Sequence, residues 1–165
     1  GMFEAGGRRI MRSINIDMST IKLCSQEMLE RYKKIEYIKQ YVEKKKAEVE
    51  DYNREHNIDE ACLVNGRRLT NIGTFRAYIN AYLKNHSKVK PAMTFLIRQL
   101  EPTEHGLPIQ IYVFCSHTAW AEYEAVQADI FDHLLAVVPQ FDLRVFQNPS
   151  GADLVSALAE IPHIN

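Results

Sequence analysis

The side chains able to do chemistry are spread along the chain without a shared spacing. Six histidines (His56, His86, His105, His117, His133 and His163) form no HxxxH pair and have no cysteine at metal-ligand spacing. Asp129 and His133 stand four residues apart, so on a helix they share a face and could offer two ligands. The plainer reading is a surface pair. Cys115 followed by His117 has the outline of a nucleophile beside a base, but a cysteine on the core face of a strand reads as packing. Arg67 and Arg68 beside Asn65-Gly66 could meet an anion, and read as solvated charges on a turn. Glu43-Lys44-Lys45-Lys46 is a mixed-charge helix face. No GxxxxGK[ST] or GxGxxG run supplies a phosphate cradle. The expectation is a domain with no catalytic residue, no cofactor and no metal.

Composition narrows the class further. The 165 residues are 46% hydrophobic and 25% charged, with a net charge of −1. That is globular composition without a general polyanion-binding surface. The longest apolar runs, Ile111–Cys115 and Leu134–Val138, fall far short of the roughly 20 residues a membrane-spanning helix needs. No signal-peptide pattern opens the chain. Three cysteines (Cys24, Cys62, Cys115) without CxxC spacing fit a reducing compartment.

The elements that must position these residues follow from periodicity. Ile10–Leu23 is rich in β-branched residues and reads as a strand. Ser25 offers an N-cap to a helix whose apolar positions (Met28, Leu29, Tyr32, Ile35, Ile38, Tyr41, Val42) recur at three and four. The pattern persists to about Glu55, and its length calls for a break near Lys33–Glu36. Asn65-Gly66, flanked by Ala61–Val64 and Arg67–Thr70, predicts a small hairpin. Phe75, Tyr78, Ile79, Tyr82 and Leu83 mark a second helix. Met93–Leu100 and Leu107–Cys115 read as paired strands. Thr118 is placed to cap a third helix with the stripe Tyr123, Val126, Ile130, Leu134, Val137, stopped by Pro139. A short strand over Leu143–Gln147 and a last helix over Asp153–Glu160 complete the chain.

With the insert between about Asn57 and Pro91 removed, the order is βαββαβ, an α+β class with a ferredoxin-like antiparallel sheet and helices on one face. The expected strand order is fourth, first, third, second. The strand at Met93 is then an edge, which the hairpin-plus-helix insert is placed to cover. Ile14, Ile16, Ile111, Val113, Val126, Ile130 and Leu134 are the predicted core. Ferredoxin-like folds include RNA-binding modules, and Tyr112 and Phe114 lie at the strand period such a surface uses. No RNP1 run accompanies them, so nucleic acid is not an expected partner. A free-standing small-ligand or nucleic-acid module on this fold is the alternative function.

Three stretches carry a more specific likeness. GRRIMRSINIDMSTIKLC (7–24) resembles the junction where the membrane-proximal β domain of MscS-type mechanosensitive channels passes into the cytoplasmic α/β domain. LVNGRRLTNIGTFRAYINAYLKNH (63–86) resembles the insert of a larger-insert branch of that family. MTFLIRQLEPTEHGLPIQIYVFCSHTAWAEYEAVQADIFDHLLAVVPQF (93–141) with LRVFQNPSG (143–151) resembles the rest of the domain. The likeness covers roughly residues 5–151. It implies a bacterial inner-membrane protein, homoheptameric, that opens under tension and releases solutes on osmotic downshock. This domain would form part of its cytoplasmic cage. It implies residues 1–9 as the end of the β domain or a tag remnant, 10–151 as the α/β domain, and 152–165 as a tail. Met2 is then internal, and transmembrane helices lie upstream. No gating residue of the family maps onto these positions, and portal-lining residues depend on the sevenfold arrangement. Without its membrane tether, the chain alone is expected to be monomeric or weakly oligomeric.

Overall fold

The structure, a computed structural model, describes the backbone of residues 3, 4 and 6–162 and the side chains from residue 6 onward. His163 and the rest of the expected tail beyond Pro162 lie outside the described residues, as do Gly1, Met2 and Ala5. The elements are β1 (Phe3–Glu4), β2 (Gly7–Ile16), α1 (Gln26–Tyr32), α2 (Lys39–Glu55), α3 (Asn71–Lys84), β3 (Leu96–Gln99), β4 (Leu107–Cys115), α4 (Trp120–Val137) and α5 (Gly151–Ala159). The fold is α+β. One antiparallel sheet runs in the order β1-β2-β4-β3.

The long β2–β4 pairing is the axis. Arg8 faces Cys115 at one end and Ile16 faces Leu107 at the other. Side chains alternate across the pleat. Ile10, Ile14 and Ile16 of β2 and Leu107, Ile109, Ile111 and Val113 of β4 therefore share one face, and all are buried. Met28, Leu29 and Tyr32 of α1, Phe75, Ile79 and Leu83 of α3, and Val126, Ile130 and Leu134 of α4 join the same core. Each predicted core residue is buried. Gly7–Arg9 continue the same strand as Ile10–Ile16, so β2 runs through the expected boundary at residue 9.

Local chemistry explains several ends. Ser25 Oγ accepts from the Met28 N–H at 3.2 Å and starts α1, with Glu27 in the first turn. The helix breaks where length demanded: α1 stops at Tyr32, and a 3₁₀ turn over Glu36–Ile38 leads into α2. Beyond Val42, α2 buries only Asn53. A 3₁₀ turn over Val138–Phe141, with Pro139 in its first turn, ends α4.

Five expectations are corrected. No hairpin forms around Asn65-Gly66. Gly66 takes φ +69, but Asn65 does not adopt positive φ, as a two-residue hairpin turn requires. The Asn53 side chain replaces the missing strand partner, accepting from the Arg67 N–H (2.9 Å) and donating to the Arg67 carbonyl (3.0 Å). A Cβ on Gly66 would collide with that amide. The first strand stops at Ile16, because Asp17 caps a 3₁₀ turn over Met18–Thr20 through its carboxylate. The strand over Leu143–Gln147 is reduced to an antiparallel bridge, Val145 to Ile16, flanked by Asp17 N–H to Arg144 O and Phe146 N–H to Asn15 O. Thr118 does not cap α4, which begins after Ala119 with no side-chain cap. The edge strand is also shorter than Met93–Leu100. Val89 instead bridges to Cys115, so a second short run lies along β4. The insert's helix flanks this edge, and Arg76 Nη1 donates to Gln99 Oε1 at 2.7 Å.

Candidate functional site

A group of titratable side chains lies between the C-terminal half of α3, the loop after it, and α4. Tyr78, Tyr82 and His86 succeed one another at four-residue steps, so they form one stripe facing α4. Asp129 and His133 form the matching stripe. The two do not act as a pair: His133 reaches across to α3 and Asp129 to the loop after it. Asp129 Oδ2 lies 3.2 Å from His86 Nε2, and His133 Nε2 lies 2.6 Å from the Tyr78 hydroxyl. His133 also stacks on Tyr82, with centroids 4.3 Å apart. The surface-pair reading of Asp129 and His133 is corrected in this respect. Burial, with Asp129 adding to it, pushes the Tyr82 phenol up to about 12, and burial raises that of Tyr78.

The tautomer of His86 follows from its partners. The Lys88 N–H donates to His86 Nδ1 at 3.1 Å, so Nε2 carries the proton that Asp129 accepts. His86, Lys88, His117, Glu122, Val126 and Asp129 line a cleft of about 480 Å³. The hydroxyl of Ser116, which contacts the lining residues Lys88 and His117, is not set up as a nucleophile. Ser116 Oγ donates to Lys88 O at 3.2 Å, so its 3.1 Å contact with His117 Nδ1 is an accepted N–H. That is the reverse of the polarity that activates a serine. Among the described residues, no group of three or more His, Cys, Asp and Glu is arranged to hold a metal ion.

The other sequence candidates separate. Cys115 is fully buried and burial raises its thiol, while the His117 ring is engaged with Ser116. The two do not form a nucleophile–base pair. Arg68 is bound inward, with Nε donating to Leu63 O (3.0 Å) and Nη2 to Glu60 O (2.8 Å). Arg67 lies over the Tyr52 ring at 5.4 Å. Lys46 of the mixed-charge run pairs with Glu30 of α1 at 3.6 Å. On the sheet's outer face, Tyr112 is partly covered and Phe114 is 0% exposed. A base cannot stack on Phe114, which removes one of the two aromatics such a surface would need.

Pattern reading missed the α3–α4 contact itself. Its signal was the i, i+4, i+8 run of Tyr78, Tyr82 and His86, which reads equally well as a core stripe. A second polar junction was also not foreseen. Asn71, 0% exposed, accepts from the Lys22 N–H (2.9 Å) and donates to the carbonyls of Thr20 (2.9 Å) and Asp142 (3.3 Å). No protein-family model matches the chain.

Proposed function

We propose that this chain is the α/β domain of an MscS-type mechanosensitive channel of the larger-insert branch, forming part of the cage below the pore. In this reading the fold is a ferredoxin-like βαββαβ unit whose fourth strand is pared down to the bridge at Val145. The direction and place of that bridge, antiparallel on the β2 edge away from β4, support the reading.

The observation that carries it is the way the three resembling stretches meet. Residues 7–24, 63–86 and 93–141 with 143–151 are separate in sequence, yet Asn71 of the second binds Thr20 and Lys22 of the first and Asp142, the residue that joins the two parts of the third. The Cys24 N–H donates to Leu69 O at 2.8 Å, and β2 of the first pairs along β4 of the third. The likeness thus falls on one interlocked unit rather than on unrelated segments. A packed frame of this kind suits a rigid wall through which solutes pass. The heptameric ring, the membrane anchorage and the inner-membrane location belong to the same proposal.

The test is electrophysiological. The intact gene product containing this chain is expressed in a bacterial strain stripped of its own mechanosensitive channels. Tension-activated conductance in excised patches and improved survival of downshock are the expected results. A product that reaches the inner membrane and gives no tension-activated current overturns the proposal.

A further inference from the structure

The last helix, α5, leaves its apolar side chains unused within the fold. Every residue from Gly151 to Pro162 is exposed. Leu154 and Leu158 of the helix and Ile161 just beyond it recur at four and three, with Val155 beside them, and each is more than half exposed. The Ser150–Asp153 capping box starts the helix. Its nine residues are nonetheless fewer than the roughly 12–15 that an isolated helix needs to hold in water, so the stripe calls for a partner. The segment is also acidic: residues 151–160 carry Asp153 and Glu160 and no Lys, Arg or His. That charge disfavours an anionic membrane surface, which selects basic amphipathic helices.

A matching surface lies on the solvent side of the sheet. Cross-strand register places Met11, Tyr112 and Leu96 in one row over β2, β4 and β3. Met11 is 48% and Leu96 47% exposed, and Tyr112 between them is half-buried. Arg9 and Arg98 flank the row, each two residues along its strand from Met11 or Leu96 and so on the same face. The three strands contain no acid, and neither arginine has a carboxylate at ion-pair distance among the described residues. Row and stripe also agree in length. Leu154 and Ile161 stand seven positions apart, about 10 Å along a helix. Met11 and Leu96 stand two interstrand spacings apart, again about 10 Å.

We propose that α5 of one copy of the chain docks across the Met11–Tyr112–Leu96 row of a second copy, with the apolar stripe on the apolar row and the acidic helix drawn to Arg9 and Arg98. The contact joins two different surfaces, so it is heterologous and propagates head to tail. It does not rest on the channel reading, since both surfaces belong to every copy of the chain. A single short helix buries less than a standard-size interface, so the association is weak, with a Kd on the order of 0.1 mM.

Sedimentation equilibrium on the 165-residue chain and two exposed-site variants tests this. The wild-type chain should pass beyond the dimer as its concentration rises through the Kd. Leu158→Asp spoils the helix stripe and Met11→Asp spoils the row, and each variant alone should stay monomeric. Mixed in equal amounts, the two should form a dimer and nothing larger, because the intact α5 of the Met11→Asp copy meets the intact sheet of the Leu158→Asp copy. That recovery also shows both variants to be folded. Association lost in Leu158→Asp but unchanged in Met11→Asp would mean that α5 pairs with α5, and would overturn the assignment. A wild-type chain still monomeric about tenfold above that Kd, or variants that give no dimer on mixing, would overturn it as well.

Discussion

The Tyr32 hydroxyl donates to Asp142 Oδ2 at 2.6 Å across 110 residues of chain. Tyr32 is the last residue of α1, and Asp142 follows the 3₁₀ turn after α4 in a left-handed conformation, φ 58. Arg31 Nη2 lies 2.8 Å from the same carboxylate. The clasp thus holds the end of one helix to the exit of another. Tyr32→Phe keeps the ring in the core and removes only the hydroxyl. A hydrogen bond to a charged group is worth about 1.5–3 kcal/mol, so urea denaturation should show a loss in that range. An unchanged midpoint would mean that Arg31 alone satisfies the carboxylate.

Acid stability should report two carboxylates. Burial alone would raise the Asp142 carboxyl, but the Tyr32 hydroxyl and the Arg31 guanidinium outweigh it and hold it below the usual range. Asp17 is held down at about 2, first by the Ser19 hydroxyl and then by Arg144. A carboxyl depressed in the folded state stabilises it above the unfolded value of about 3.9, and the benefit is lost as pH falls through the folded one. Stability should therefore decline from about pH 4 toward pH 2 and change little from these groups above pH 5. In Asp17→Asn the decline should be shallower. An equally steep acid limb in that variant would assign the effect to other groups.

Thiol reactivity should divide the cysteines. Burial pushes the Cys24 thiol up to about 11 and raises that of Cys115, whereas Cys62 is exposed on the loop after α2. The thiolate is the reactive form, so iodoacetamide at neutral pH should label Cys62 promptly and the other two only after unfolding. Peptide mapping distinguishes them. Fast native labelling of Cys115 would contradict its place in the β4 core face.

The Asn71 junction should be costly to remove. Asn71→Ala strands the Lys22 N–H and the carbonyls of Thr20 and Asp142, each of which it now pairs. One buried unsatisfied group costs about 1–3 kcal/mol, so the loss should be at least about 2 kcal/mol by chemical denaturation. A loss below about 0.5 kcal/mol, the scale of an ordinary surface substitution, would show that water replaces the amide without penalty.

Periodicity made the interior legible. The alternation of Ile14 and Ile16, the alternation of Ile111 and Val113, and the three-four spacing of Val126, Ile130 and Leu134 each pointed to one face, and those faces are buried. The Ser25 cap and the break after Tyr32 were equally local. These features follow from backbone geometry over a few residues, and tertiary context had no reason to override them. Polar partnerships were not legible in this way. Asn53 took the backbone of Arg67 and removed a hairpin that Asn65-Gly66 favoured locally. Asp129 and His133 share a helix face yet turn to His86 and Tyr78, more than 40 residues back in the chain. Tyr112 and Phe114 share a strand face, but only Phe114 is sealed from solvent. A hydrogen bond or a ring contact acts over about 3–6 Å, so its partner is chosen only when distant segments are brought together. The chain's local pattern therefore decided which side chains face inward, and only the packed fold decided which polar groups meet.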